Sequence, residues 1–248
     1  MDIFIIFATT KLIDTMLYTT LNEKQKQEFY TNLCEFITPE RKALLEKNIV
    51  NRTNWFVPVI ENIHKEQNAS AVLRTCDCLG LQDVMVVENN NTFSVTDDIS
   101  LGANKWLNIK KYNSFTNNTK QCFDDLRKQG YKIVATMPYK NDINLQDVDI
   151  NQKTAIVFGS EVDGISKEAI ENADCFMKIP MYGFTESFNI SVSAAITLHY
   201  LTDKLRNSSI NWHLSKEEQL DMLINWTLSS IKHNERIEKE ILKRMNIL

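Results

Sequence analysis

Three short segments of this 248-residue chain carry polar side chains close after apolar runs. The first contains Asn68 and Arg74, the second contains Glu161, and the third contains Ser187 and Asn189. They offer a guanidinium, a carboxylate, a hydroxyl and two carboxamides, which can bind a phosphate, fix a loop or move a proton. Open α/β sheets bind their ligands where such side chains follow the ends of strands. The three segments are therefore candidates for one binding or catalytic site.

Most of these residues also have a purely structural interpretation. Asn68 fits a helix N-cap, and Arg74 fits a surface cation paired with Asp77 three residues further on. Asn68 and Arg74 are separated by six residues, or about 240° on a helix, so their spacing does not place them on one face. Ser187 and Asn189 fit caps of the helix that follows them.

Glu161 lies in a loop that resembles a ligand-binding turn. A buried-type strand ends in Gly159-Ser160-Glu161, and Gly164 precedes a helix, which leaves backbone N–H groups free to bind a ligand or a carboxylate. The loop lacks the Gly-Lys-Ser/Thr of a nucleotide-binding Walker loop. Glu161 is therefore either a catalytic carboxylate or one that only accepts hydrogen bonds from loop amides, and both interpretations stay open.

Strands that alternate with helices must position these segments. The apolar, β-rich runs predict strands at Trp55–Ile60, Val84–Val87, Tyr131–Thr136, Thr154–Phe158 and Cys175–Met181. Helices are predicted near Asn68–Leu79, Thr119–Gln129, Ser166–Asn172 and Asn189–Arg206. The alternation predicts βαβ units and an α/β fold with a mostly parallel sheet.

Helical extensions are predicted on both sides of this domain. Thr38-Pro39-Glu40 combines a capping threonine with proline at the first helical position, which is typical of a helix start. We predict three segments: an N-terminal helical extension over residues 1–50, the α/β domain over 51–206, and a C-terminal helical extension over 207–248. The apolar stretch Met1–Leu21 is interrupted by charges and fits neither a secretion signal nor a membrane span.

Composition narrows the function classes. The formal net charge of −4 means that any contact with nucleic acid must use a local basic surface. The five cysteines are scattered, and neither they nor the four histidines have metal-ligand spacing, so no metal is predicted. Buried reduced thiols predict a cytoplasmic location. The lack of an uninterrupted apolar span predicts that the protein has no membrane partner.

Read together, the three segments resemble the motifs of the TrmH family of SPOUT RNA ribose 2′-O-methyltransferases. The resemblance covers roughly residues 55–205 in order, spacing and surrounding strands. Its pieces are Asn68-x-x-Ala71-x-x-Arg74 with Gly80, then Phe158-Gly159-Ser160-Glu161-x-x-Gly164, then Ile179-Pro180-Met181-x-Gly183 before Ser187-x-Asn189-x-Ser191-Val192. Glu66, Phe188 and Ser193 depart from the residues usual in the family, and Phe188 bears on the cofactor pocket.

The resemblance implies a fold, a methyl donor and an assembly. The fold would be a SPOUT-type sheet whose C-terminal strand and helix form a trefoil knot. The knot would bind S-adenosylmethionine largely through backbone groups and apolar walls. The candidate residues of that pocket are Thr136, Gly159, Ile179, Met181 and Phe188. The protein would be a homodimer in which the second subunit completes the active site.

The resemblance also implies roles for the polar residues. Arg74, which is too basic to accept a proton, would orient a substrate phosphate, and that phosphate would deprotonate the ribose hydroxyl. Asn68 and Glu161 would fix the surrounding loops, while Ser187 and Asn189 would shape the site. The alternative is that Glu161 is itself the general base.

The substrate implied is tRNA, methylated at the ribose of the D-loop guanosine. Alternatives are the same chemistry on ribosomal RNA and a non-catalytic RNA-binding or assembly factor on this scaffold. A basic group at each end of the chain could contact RNA, although the C-terminal one also fits an ordinary solvated helix face. The groups are Arg41, Lys42, Lys47 and Arg52 at the N-terminal side, and Lys232, Arg236, Lys239 and Lys243 at the C-terminal side.

Overall fold

The computed structural model describes residues 17–137 and 143–248, without the side chain of Asp97. The prediction about Met1–Leu21 therefore lies mostly outside the described residues. The chain divides into two compact units. One is Thr53–Trp212, and the other combines the chain up to Arg52 with His213–Leu248. The predicted N-terminal extension and residues 213–248 of the predicted C-terminal extension thus belong to a single unit, whereas residues 207–212 belong to the larger one.

The larger unit contains a seven-stranded sheet in the part of the chain that the structure describes, and its paired strands run parallel. The strands are β1 (Phe56–Glu61), β2 (Asp83–Val87), β3 (Asn108–Tyr112), β4 (Lys132–Thr136), β5 (Ile143–Asn144), β6 (Thr154–Phe158) and β7 (Cys175–Lys178). Their order in the sheet is β3-β2-β1-β6-β4-β7-β5. The prediction of an α/β fold with a mostly parallel sheet is confirmed.

The strands are buried on both faces because successive side chains point to opposite sides of a sheet. In β1, Phe56 and Ile60 pack into one core, and Val57 and Val59 pack into the other. Helices cover both faces, as expected for parallel connections. The helices of this unit are α3 (Glu66–Cys78), α4 (Asp97–Ser100), α5 (Asn118–Lys128), α6 (Lys167–Asn172) and α7 (Ile190–Arg206). Helices α3 and α7 contribute to the first core, and α5 and α6 to the second.

Two strands, β3 and β5, were not predicted. Strand β3 lies at one edge of the sheet and buries only Ile109 and Tyr112, while Lys110 and Lys111 occupy the positions between them. It therefore lacks the continuous apolar run by which the central strands were recognised. Strand β5 has two residues, which is too short to produce a pattern.

The smaller unit is helical, in agreement with its composition. It contains α1 (Glu23–Leu33), α2 (Pro39–Ile49), α8 (Lys216–Ser229) and α9 (Asn234–Arg244), packed around Phe29, Leu33, Ile224 and Leu228 among others. The predicted start of α2 is confirmed, because the Thr38 hydroxyl accepts a hydrogen bond from the Arg41 N–H over 3.2 Å. Arg52 is buried and its guanidinium lies 5.1 Å from the ring of Trp226, so its prediction as an RNA contact was wrong.

The loops that follow the strands lie together at the carboxyl ends of the parallel strands. After β1 the chain moves to β2 on one side, and after β6 it moves to β7 on the other side. Strands β1 and β6 are neighbours in the sheet, so their carboxyl ends flank a point where the connections diverge. Such a point leaves a crevice in which open α/β sheets bind ligands.

Candidate active site

The connection after β1 and the connection after β6 are joined by the carboxylate of Glu161. It accepts hydrogen bonds from the side-chain amide of Asn68 at 2.5 Å and from the backbone N–H groups of His64 at 3.0 Å and Lys65 at 3.4 Å. Helix α3 begins at Glu66, and Lys65 makes no side-chain cap. Glu161 therefore binds the chain just before a helix that has no local capping side chain.

These hydrogen bonds decide the acidity of Glu161. Partial burial by itself raises the pKa of its carboxyl. Hydrogen bonds from Asn68 and from backbone N–H groups, including those of His64 and Lys65, more than offset this and hold the pKa below the usual range of a glutamate. The carboxylate is thus stabilised in its charged form and is a weakened proton acceptor.

Asn189 links the third segment to the same network. Its side-chain NH₂ donates to the Asn68 side-chain oxygen over 3.2 Å. Its own oxygen accepts from the backbone N–H of Ser191 at 2.8 Å, which caps α7. The capping interpretation of Asn189 is therefore confirmed, and its hydrogen bond to Asn68 brings it to the other candidate segments, while its role in the site stays a prediction. Asn68 does not cap α3 but lies, buried, within its first turn.

The loop between β6 and α6 is folded tightly on itself. Ser160 N–H donates to the Gly164 carbonyl at 2.9 Å, and the Gly164 N–H donates back to the Ser160 carbonyl at 3.1 Å. A Cβ on Gly159 would lie 2.2 Å from the Gly164 carbonyl carbon, a distance that no side chain could adopt without moving the backbone. Gly159 is therefore required by the close approach of two backbone segments.

All five residues predicted for a cofactor pocket line one cavity of about 490 Å³. They are Thr136, Gly159, Ile179, Met181 and Phe188. The cavity lies at the carboxyl ends of β6, β4 and β7, which are adjacent in the sheet. Its volume is within the range of roughly 300–1,000 Å³ that small-molecule sites occupy. The structure thus brings these five residues together, although their role in binding stays a prediction.

The predicted catalytic residues are only partly brought together. Glu161 and Ser187 line the cavity, and Asn68 and Asn189 are hydrogen-bonded beside it. Arg74 lies elsewhere: it is exposed on α3, and its guanidinium has no ion pair with a residue that the structure describes. It lines a separate groove of about 800 Å³ between α3 and α7.

Ser193, at the cavity, and Glu61, at the end of β1, are absent from the predicted site residues. Ser193 lines the cavity but was noted only as a departure from the family pattern. Glu61 ends the apolar strand β1 and is buried, with Ser166 and Thr119 as its hydrogen-bond donors. A charged residue at the end of an otherwise apolar strand was the available signal.

Within residues 17–137 and 143–248, no group of three or more His, Cys, Asp or Glu side chains could hold a metal ion. The prediction that no metal is needed stays a prediction. In the same residues, no helix has both the length and the apolar character that crossing a membrane requires.

The chain is similar to known RNA-modifying proteins. It is 43% identical over 209 residues to a tRNA (guanosine(18)-2′-O)-methyltransferase of Borreliella burgdorferi, covering 84% of this chain and 94% of that protein. The crystal structure of the A. aeolicus TrmH/SpoU tRNA modifying enzyme superposes with a TM-score of 0.70 at 29% identity, covering 77% of this chain and 96% of that one.

A third comparison concerns the fold alone. The SpoU methyltransferase AviRb from Streptomyces viridochromogenes, in complex with the cofactor AdoMet, has a TM-score of 0.56 at 20% identity, and the match covers 65% of each chain.

The family model described as the SpoU rRNA methylase family matches residues 56–199, which include all ten predicted site residues. The chain therefore belongs to the SpoU rRNA methylase family.

Proposed function

We propose that this protein methylates the ribose 2′-hydroxyl of guanosine 18 in tRNA, with S-adenosylmethionine as methyl donor. One observation carries the proposal. The side chains of Asn68, Glu161 and Asn189, from three distant segments, form one hydrogen-bonded network beside a cavity lined by the five predicted donor-binding residues. The relative from Borreliella burgdorferi supports guanosine 18 of tRNA as the target.

The chemistry of the cavity fits the donor. Ile179, Met181 and Phe188 provide apolar walls, and the loop around Gly159 brings backbone close to the space. Phe188 is 41% exposed, so its ring is available to a bound group. When bound, S-adenosylmethionine supplies a methyl group carried on a positively charged sulfur. The cavity residues would hold and orient this group so that the methyl faces the ribose hydroxyl.

Glu161 acts in this proposal as a loop-fixing residue and not as the base. Its lowered pKa and its three hydrogen-bond donors leave it poorly suited to take a proton. Arg74 would bind the phosphate next to the target ribose through its planar fork of donors, and that phosphate would accept the proton. Ser187 would contact the substrate from the cavity rim, and Asn189 would hold Asn68 in place.

A second copy of the chain would complete the site. Within one chain Arg74 lines the groove between α3 and α7 instead of the cavity. The groove is mainly apolar, and Ala71 and Ala195 would let another backbone approach closely. Val192 and Ile196 on the same helix are 43% and 36% exposed. Occupation of this groove by the α3–α7 face of a second subunit would place each Arg74 near the partner's cavity.

The N-terminal helical segment would contact the RNA. Arg41 and Lys47 are exposed on α2 and would contribute phosphate contacts from the N-terminal segment.

The C-terminal segment after β6 would form the trefoil knot, in keeping with the cavity that the loops after β4, β6 and β7 line together. None of the five cysteines, all of which lie within the described residues, forms a disulfide, and this supports a reducing, cytoplasmic location.

The test is a methylation assay with defined RNA. Purified protein, labelled S-adenosylmethionine and unmodified tRNA are incubated, and the methylated ribose is mapped. Label at guanosine 18, and none in a transcript whose guanosine 18 is 2′-deoxy, is the expected result. Label confined to ribosomal RNA would replace the substrate assignment. RNA binding without any methylation would instead favour an assembly factor.

A further inference from the structure

Glu61 is a buried carboxylate to which no role in the reaction has been assigned. It is the last residue of β1 and is only 1% exposed. One of its oxygens accepts hydrogen bonds from the hydroxyls of Ser166 at 2.7 Å and Thr119 at 2.6 Å, and the other accepts from the Ser166 N–H at 3.0 Å. Burying a charge is costly unless such donors surround it, so this arrangement is specific.

Two of these three donors belong to Ser166, which ends the loop that lines the cavity. The loop begins at Gly159, and Gly159 to Ile165 all line the cavity. Ser166 is also the N-cap of α6, since its hydroxyl accepts from the Ala169 N–H at 3.1 Å. Glu61 therefore fixes the point at which the cavity loop passes into a helix.

A reciprocal contact fixes the beginning of the same loop. Glu161, two residues after Gly159, reaches back to the chain that follows β1 and accepts hydrogen bonds at His64, Lys65 and Asn68. Glu61, at the end of β1, reaches forward to Ser166. The two carboxylates thus connect the same pair of loops in opposite directions, and the cavity loop is held at both ends.

From this arrangement we infer that Glu61 is a positioning residue for the methyl-donor cavity, acting through Ser166 and the loop 159–166. The inference rests on the proposed function, because it assigns the loop a role in binding S-adenosylmethionine. Glu61 does not line the cavity, so its effect is transmitted by the loop. Replacing Glu61 would weaken the binding of S-adenosylmethionine without altering the methyl-transfer step that follows.

Thr119 offers a matched control on the same carboxylate. It is buried on α5, donates to Glu61 and accepts from the side-chain amide of Asn89 at 2.8 Å. Thr119→Val removes one donor of Glu61 but leaves both Ser166 contacts in place. Glu61→Gln has the size of glutamate, but its amide group cannot accept from both the hydroxyl and the N–H of Ser166.

The experiment measures S-adenosylmethionine binding by calorimetry, together with the KM for the donor, kcat and urea unfolding, for wild type and variants. We expect Glu61→Gln and Ser166→Ala to weaken donor binding about tenfold, the loss typical of a charged hydrogen bond, and to raise KM with little change in kcat. Thr119→Val should bind S-adenosylmethionine with an affinity within about twofold of that of wild type, even where it lowers the free energy of unfolding.

Each outcome bears on the inference. Unchanged donor affinity in Glu61→Gln, or an equal loss in Thr119→Val, would overturn it, because the carboxylate would then serve stability alone. If Glu61→Gln fails to fold, the inference is tested by comparing the affinity of Ser166→Ala for S-adenosylmethionine with that of Thr119→Val. Wild-type protein that binds no S-adenosylmethionine would refute the proposed function and this inference with it, whereas a failure in the variants alone leaves the proposed function intact.

Discussion

Single side chains in this protein serve two neighbouring elements at once. Asn189 caps α7 with its oxygen and donates its NH₂ to Asn68, and Asn68 passes the connection to Glu161. A buried or half-buried amide that satisfies partners at both ends has a unique orientation, and so do the loops attached to it. Substitutions of Asn189, Asn68 or Glu161 should therefore disturb the site before they unfold the protein.

The pH dependence of stability tests the state of Glu161. Its folded-state pKa is lowered, so its contribution to stability is fully present above its unfolded pKa and is lost as pH falls through the folded value. We expect the stability difference between wild type and Glu161→Gln to shrink from about pH 6 to about pH 3 in urea unfolding. Glu171→Gln, which removes an exposed carboxylate of α6, should follow the wild-type profile.

Arg74 is expected to affect the reaction far more than stability. Because its guanidinium is exposed, Arg74→Ala should change the free energy of unfolding by no more than about 0.5 kcal/mol. Single-turnover methyl transfer should fall by about 10²–10⁴-fold. Arg74→Lys should recover little, because lysine retains the charge but lacks the planar fork. Full turnover in Arg74→Lys, combined with its loss in Glu161→Gln, would identify Glu161 as the base.

At the scale of elements, the loop between β6 and α6 depends on Gly159. Gly159→Ala would place a methyl group 2.2 Å from the Gly164 carbonyl carbon, so the loop must open. We expect loss of S-adenosylmethionine binding and destabilisation of about 1–3 kcal/mol. Gly183→Ala is the control, since its added Cβ would lie 4.0 Å from the nearest atom, the Thr185 nitrogen. Equal losses in both variants would contradict this explanation.

The sequence was sufficient to predict the central strands and the major helices, because apolar runs are local signals. The five candidate residues that line the cavity came instead from the resemblance to the family motifs. It was insufficient where the partner is distant. The start of α3 was misplaced at Asn68, since the hydrogen-bond acceptor next to that start is Glu161, more than ninety residues away in the chain. Strand β3 was missed because its lysines interrupt the apolar pattern.

At the scale of the whole molecule, the proposed homodimer would account for the position of Arg74, which does not line the cavity of its own chain. The cavity and the Asn68–Glu161–Asn189 network lie at the carboxyl ends of the strands, and Arg74 lines the groove between α3 and α7. A twofold dimer through this groove would be self-complementary, so one interface would create two equivalent sites. Each site would combine the cavity of one subunit with the arginine of the other.

Mixing two inactive variants distinguishes this arrangement from a site within one chain. Arg74→Ala retains the cavity, and Gly159→Ala retains the arginine. In a mixed dimer, the intact cavity would face the intact Arg74 of the partner subunit, so refolding an equal mixture should restore about a quarter of the wild-type activity. Without co-refolding the variants should stay inactive, and Ile196→Glu on both chains should abolish the rescue by separating the subunits. No activity in mixed dimers whose formation is verified by mass would mean that Arg74 acts within its own chain.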